Sequence, residues 1–145
     1  MTEVAFHFGA PDKLSYTCRL LRKAVGSGAK VVVVADEVIC QQLDVDLWAL
    51  AATEFLPHCS DTADSFVQGK CPVVLAGQVA SVLVPKDVLV NLGQAVVQGF
   101  EEFKRVIEVV STDEHDRDLA RLRWKHYTAL GYTITRHDLT LRGAS

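Results

Sequence analysis

At 145 residues and 49% hydrophobic content, the chain is sized for one domain with a substantial core. Its formal net charge of -3 makes the molecule as a whole repel polyanions, which argues against a long track of bound nucleic acid. No signal-peptide h-region opens it, and no apolar run approaches the ~18 to 20 residues needed to span a bilayer, so a soluble, cytoplasmic protein with no membrane partner is expected.

Val4 to Phe8 alternates and is β-prone, and Pro11 with Asp12 marks a turn into a helix over about Lys13 to Val25. Leu14, Cys18, Leu21 and Val25 share one face of that helix, and Gly26-Ser27-Gly28 ends it. Lys30 to Ala35 is a continuous run dominated by β-branched residues, the pattern of a strand buried on both faces of a parallel sheet. Strand, helix and strand in about 30 residues make a βαβ unit. Asp36 caps a second helix reaching to about Leu50, with Val38, Leu43, Leu47 and Trp48 as its apolar positions. Pro57 to Cys71 has the polar and glycine content of a surface connection. Pro72 to Ala76 and Asp87 to Leu92 are strand candidates, with Gln78 to Lys86 between loop and strand. A short amphipathic helix, about Gln94 to Lys104, leads to a strand at Val106 to Val110.

Ser111-x-x-Glu114 has the form of a capping box, and Asp113, Glu114 and Asp116 fall in the first turn, where the helix dipole favours acids. That role accounts for the run Asp113-Glu114-His115-Asp116 more simply than a metal does. From Arg117 to Tyr132, a step of about 100° per residue gathers Arg117, Arg121, Trp124, Lys125 and Thr128 into one stripe. Leu119, Leu122, Ala129 and Leu130 fall roughly opposite and are expected to seat the helix. Arg117, Arg121 and Lys125 follow the i, i+4 spacing at which like charges repel, so the arrangement adds nothing to helix stability. Two readings stand: an ordinary solvated face, or a site for an anionic, partly apolar ligand that uses the indole beside the cations. Gly131 closes the helix, and Tyr132 to Leu139 alternates as a last strand.

The expected fold is therefore a single α/β domain over residues 1–145, with a mostly parallel central sheet flanked by helices, Rossmann-like but without a nucleotide-binding loop. Val31 to Val34 should be its central strand. Gly26-Ser27-Gly28 follows a helix instead of a strand, and Gly9-Ala10-Pro11 lacks the further glycines and the Lys-Ser/Thr of a phosphate loop. Cys18, Cys40, Cys59 and Cys71 are scattered singly and read as free thiols. His58-Cys59 is a poor nucleophile–base pair, because consecutive side chains diverge. His7 and His137 belong to separate strands and His115 and His126 to opposite ends of the basic helix, and no catalytic, cofactor or metal constellation emerges.

Asp46-Leu47-Trp48 followed by Glu54-Phe55-Leu56-Pro57-His58 resembles the Leu-Trp…Phe-x-Pro-His segment of the chi subunit of bacterial DNA polymerase III. Leu119-Ala120-Arg121-x-Arg123-Trp124-Lys125-x-Tyr127, ending in Gly131-Tyr132, resembles the C-terminal helix of the same family. The resemblance covers nearly the whole chain. It implies an α/β fold related to nucleotide-binding sheets and a non-catalytic accessory role in the clamp-loader assembly, without a cofactor. Its implied partners are the psi subunit and the acidic C-terminal tail of single-stranded DNA-binding protein, with DNA engaged only indirectly. The tail surface would comprise Val110, Arg117, Arg121, Trp124 and Lys125, and the psi surface Trp48, Phe55, Pro57 and His58. Trp124 stands where the family shows a tyrosine and Arg117 where it shows a lysine, keeping the aromatic plane and the charge. Direct nucleic-acid binding by the basic helix and a small-molecule enzyme on the α/β sheet are the alternative readings.

Overall fold

Four consecutive valines form β2 (Val31–Val34), and all four are buried, as a strand covered on both faces requires. The computed structural model describes residues 2–49, 56–82 and 87–139, with only the backbone described at Ser81. Before β2 come β1 (Glu3–Ala10) and α1 (Lys13–Gly26). After it come α2 (Glu37–Ala49), β3 (His58–Ser60), α3 (Ser65–Lys70), β4 (Val73–Ala76) and β5 (Val88–Asn91), then β6 (Arg105–Ser111), α4 (Glu114–Ala129) and β7 (Ile134–Asp138). Among the described residues, seven strands make one sheet in the order β3-β4-β2-β5-β6-β1-β7, and every pairing is parallel. β2 lies inside it between β4 and β5, so the expected parallel α/β architecture and buried strand are both present. No helix among the described residues is long and apolar enough to cross a membrane.

Alternation along the strands divides the core in two. Val31, Val33, Leu75, Ile107 and Val109 pack with Leu21 of α1 and with Leu43 and Leu47 of α2. On the opposite face, Phe6, Val32, Val74, Val106 and Val110 pack with Ala120 and Tyr127 of α4 and with Phe100 and Phe103. The expected helix over Gln94 to Lys104 is absent. Asn91 there accepts from the Gly93 N–H and donates to the Ala95 carbonyl, fixing a turn. Gly99 takes a positive φ, and only a 3₁₀ turn forms at Phe100–Glu102. The apolar spacing that suggested a helix instead anchors this connection through Val97, Phe100 and Phe103.

Two elements interrupt the stretch read as a loop from Pro57 to Cys71. β3 is a three-residue edge strand, and α3 is a six-residue helix capped by Asp64, with the buried Gln68 amide donating to the Asp61 and Ala63 carbonyls. Both are too short and polar to show a period. A 3₁₀ turn occupies Val79–Ser81 within the ambiguous stretch, whose residues 83–86 lie outside the described ones. On α2 only Leu43 and Leu47 are buried, whereas Val38 and Trp48 are exposed instead of packed.

The glycine ends of two helices are alike. Gly28 and Gly131 adopt positive φ, and Gly131 and Tyr132 donate to the Thr128 and Tyr127 carbonyls, the paired bonds of a Schellman motif. The Tyr132 and Tyr127 rings meet edge-on at 6.4 Å, so the cap also fixes where β7 begins. A Cβ at Gly131 would meet open space, leaving the φ of +90° as the whole penalty. Gly131→Ala should therefore lower unfolding free energy in urea by about 1–2 kcal/mol. Gly26→Ala, at an ordinary helical position that is equally open, should leave it unchanged or raise it.

Candidate functional site

β6 and β7 pair with opposite edges of β1, so α4, which connects them, must cross the sheet over β1. Phe6 of β1 accordingly meets Trp124 at 5.1 Å and Tyr127 at 6.0 Å between ring centroids. The helix face seated on the sheet is Ala120, Arg123 and Tyr127, all buried, with Trp124 partly buried. This corrects the expectation that Leu119, Leu122, Ala129 and Leu130 seat it: Leu122 is 61% and Leu130 55% exposed.

A charge explains the rotation. Glu108 points from β6 into the interface, fully buried, where Arg123 Nε donates to its Oε1 at 2.9 Å and the Tyr127 hydroxyl to its Oε2 at 2.7 Å. The Asn91 amide lies 3.0 Å from both oxygens, and Arg123 Nη1 donates to the Gln94 carbonyl at 3.0 Å. Burial pushes the Glu108 carboxyl up, opposed by the Arg123 guanidinium and the three donors. Burial and the adjacent carboxylate push the Tyr127 hydroxyl up as well, keeping it a donor. Arg123 Nη2 is the one buried side-chain polar atom without a partner among the described residues. An unpaired buried ion costs several kcal/mol, so other rotations of α4 that strand Glu108 or Arg123 are penalised.

With Arg123 and Tyr127 turned inward, Arg117, Arg121 and Lys125 fall on the flank of α4 above β1 and β7. They border a groove of about 360 Å³ whose floor is Phe6, Phe8, Val110, Ala120 and Trp124. All five residues of the sequence-derived tail surface thus line one concavity. Four contributors lie outside that sequence-derived set: Phe6, Phe8, Ala120 and Arg136, the last reaching in from β7 with its guanidinium 4.6 Å over the Phe8 ring. Arg121 pairs with Asp118. Among the described residues Arg117, Lys125 and Arg136 have no ion-pair partner. An apolar floor under four cations and one adjacent carboxylate suits a ligand that is anionic and partly apolar.

The second sequence-derived surface is only partly described. Trp48 is 54% exposed at the end of α2, and Phe55 lies outside the described residues. Pro57 is exposed, whereas the His58 ring is 1% exposed. His58 Nε2 lies 2.8 Å from Asp44 Oδ1 and Nδ1 2.8 Å from the Leu56 carbonyl oxygen, with Trp48 edge-on at 5.3 Å. His58 thereby holds the turn beneath Trp48, and neither ring nitrogen is turned to Cys59. Desolvation, with Cys71 adjacent, pushes the Cys59 thiol up to about 12. Among the described residues no group of three or more His, Cys, Asp or Glu side chains could hold a metal.

The family model for the DNA polymerase III chi subunit, HolC, matches residues 1–135. The chain belongs to the DNA polymerase III chi subunit family. This chi-family chain is 31% identical over 129 residues to DNA polymerase III subunit chi of Pseudomonas aeruginosa, covering 88% of this chain and 87% of that protein. It is 28% identical over 118 residues to the subunit chi of Escherichia coli K12, covering 81% and 79%, and 25% identical over 123 residues to that of Haemophilus influenzae, covering 84% of each. The groove between α4 and the sheet lies within the matched residues except for Arg136, one position beyond them.

The start of α4 is set by Asp113, whose carboxylate accepts from the Asp116 N–H, rather than by Ser111 and Glu114. Asp116 in turn accepts from the Ser111 amide at 2.8 Å and hydroxyl at 3.0 Å and pairs with Lys13 of α1 at 3.2 Å. Burial pushes its carboxyl up, but the Ser111 donors and Lys13 outweigh this and hold it below the usual 3.8. A depressed native pKa contributes stability above the unfolded value and loses it as pH falls through the native one. Urea unfolding at stepped pH should show stability declining below about pH 4, with a shallower decline for Asp116→Asn, which should also be less stable at neutral pH.

Proposed function

We propose that this chi-family chain is a non-catalytic adaptor of the DNA polymerase III holoenzyme. In this reading it joins the clamp loader, through the psi subunit, to the acidic C-terminal tail of single-stranded DNA-binding protein during replication in the cytoplasm. The observation that carries the tail assignment is the groove itself: Val110, Phe6 and Trp124 form an apolar seat, and Arg117, Arg121 and Lys125 stand along its rim. A peptide that is acidic and ends in an apolar residue satisfies both features at once. Nucleic acid is the weaker occupant, because the cations border one compact concavity on a molecule of net charge -3 instead of a continuous track. DNA would then be reached only through the tail-bearing protein.

Exposed ion pairs contribute ~0.2 to 1 kcal/mol each, so the carboxylates alone bind poorly. Burying an aromatic or aliphatic terminal side chain adds about 1.5–3 kcal/mol. One tail should therefore bind on the order of micromolar, and several tails on one oligomer should bind more tightly through local concentration. Calorimetry with a tail peptide should show Arg121→Ala and Lys125→Glu weakening binding by about tenfold or more, with unfolding midpoints unchanged, and added salt weakening the wild type. Unchanged affinity in both variants would make this flank of α4 an ordinary solvated face.

The psi surface is assigned to Trp48, Phe55 and Pro57, with His58 supporting the turn from beneath. Val45 is 60% exposed one turn before Trp48 on α2, so the two present an apolar strip that a protein partner would cover. Trp48→Ala and Phe55→Ala should each weaken co-purification with psi while leaving tail-peptide affinity at the wild-type value. Loss of both activities together, or unfolding, would place these residues in the core.

A further inference from the structure

The four cysteines stand singly in the sequence, and the fold brings two of them together. Cys18 and Cys40 lie among the core residues under α1 and α2, with the Cys40 Sγ turned to the Ala35 and Ala76 carbonyls. Cys59 sits on β3 and faces the other side of the sheet, packed on the cluster that contains Val74, its Cα partner on β4. Cys71 follows α3, the crossover from β3 to β4. Its amide donates to the Gln68 carbonyl at 3.2 Å, and Pro72 favours the extended backbone it adopts, with φ of -98° and ψ of 127°. The crossover thereby returns the chain to a point where the Cys59 S–H donates to the Cys71 sulfur. Both residues are half-buried, and both thiols are free.

We infer that Cys59 and Cys71 are a redox-sensitive pair that closes to a disulfide when the chain meets a peroxide and reopens with a dithiol reductant. Their contact sets the order of events. Burial, and then the bond to Cys71, push the Cys59 thiol up to about 12, so Cys59 keeps its proton and Cys71 is the sulfur left to meet the oxidant. The Cys71 thiolate attacks a peroxide oxygen. An S–O bond forms, the O–O bond breaks, and the departing hydroxide takes up the proton Cys71 released, giving water and a sulfenic acid. The Cys59 sulfur then attacks the Cys71 sulfur, forming S–S as S–O breaks, and its proton leaves with the hydroxide as a second water. The two thiols give up two electrons, and the peroxide is reduced to water. A resolving thiol in contact keeps this oxidation reversible, whereas a solitary sulfenic acid can proceed to sulfinic acid. Transient disulfides of this kind act as sensors where the surroundings are otherwise reducing. Closure ties β3, an edge strand whose His58 holds the turn beneath Trp48, to the segment that enters β4.

The test uses the full chain, reduced and then exposed to a small excess of hydrogen peroxide. Its intact mass should fall by two hydrogens. Peptide mapping with fragmentation should join Cys59 to Cys71 and leave Cys18 and Cys40 open to alkylation once the chain is unfolded. Dithiothreitol should restore the starting mass. Cys59→Ser should leave Cys71 as a sulfenic acid that dimedone captures, and Cys71→Ser should slow oxidation of Cys59 by about tenfold or more. Thermal unfolding of both reduced variants should match the reduced wild type, and the wild-type map decides the matter without them. Separate oxidation of Cys59 and Cys71 to sulfinic acids, a cross-link that joins other cysteines, or two thiols that stay reduced under peroxide would each overturn the pair.

Discussion

The buried cluster of Glu108, Arg123, Tyr127 and Asn91 decides which way α4 faces, and the groove exists only in that orientation. An amphipathic helix laid on a sheet by apolar contact alone is free to settle on its most apolar side, which in α4 includes Leu119, Leu122 and Leu130. The sheet beneath offers a carboxylate instead, and the arginine and tyrosine that satisfy it lie on a different face. Leaving either ion unpaired costs more than exposing two leucines, so the ionic contact prevails. The result turns Arg117, Arg121 and Lys125 toward β1 and β7 and leaves Leu122 and Leu130 in solvent.

Other contacts locate the helix along its axis and so complete the geometry. Asp116 joins the start of α4 to Ser111 at the end of β6 and to Lys13 of α1. Gly131 and Tyr132 close its other end and deliver the chain into β7. Because β7 pairs with β1 in parallel, Arg136 arrives opposite Phe6, and the groove gains a wall that α4 does not supply. The site is therefore built from three places in the sequence: the first strand, the end of the sixth with its following helix, and the last strand.

This distribution sets what the sequence could disclose. The continuous valines of β2, the alternation of β1 and the glycine that ends α4 are local signals, and each element stands where they put it. The spacing of Arg117, Arg121, Trp124 and Lys125 was legible for the same reason. Phe6, Phe8 and Arg136 depend on which strands become neighbours, and no local pattern shows that β1 lies between β6 and β7. The inward face of α4 departs from the helix's apolar pattern because a buried ion pair governs it. Its trace is present nonetheless: Glu108 is a lone acid within Val106-Ile107-Glu108-Val109-Val110, a strand otherwise fit only for the interior. The Gln94 to Lys104 stretch shows the converse, where helical spacing of Val97, Phe100 and Phe103 serves a turn pinned by Asn91.

The chain has two tryptophans, one at each proposed surface, which makes the central claim readable from two signals. Trp124 lies on the groove floor and Trp48 is exposed at the end of α2. In an amide-resolved NMR titration of the isotopically labelled chain with an acidic tail peptide, the Trp124 indole N–H should shift together with the backbone amides of Val110, Arg121, Lys125 and Arg136, and the Trp48 indole should stay in place. Movement of the Trp48 indole with a silent Trp124, or no movement of either at saturating peptide, would contradict the account.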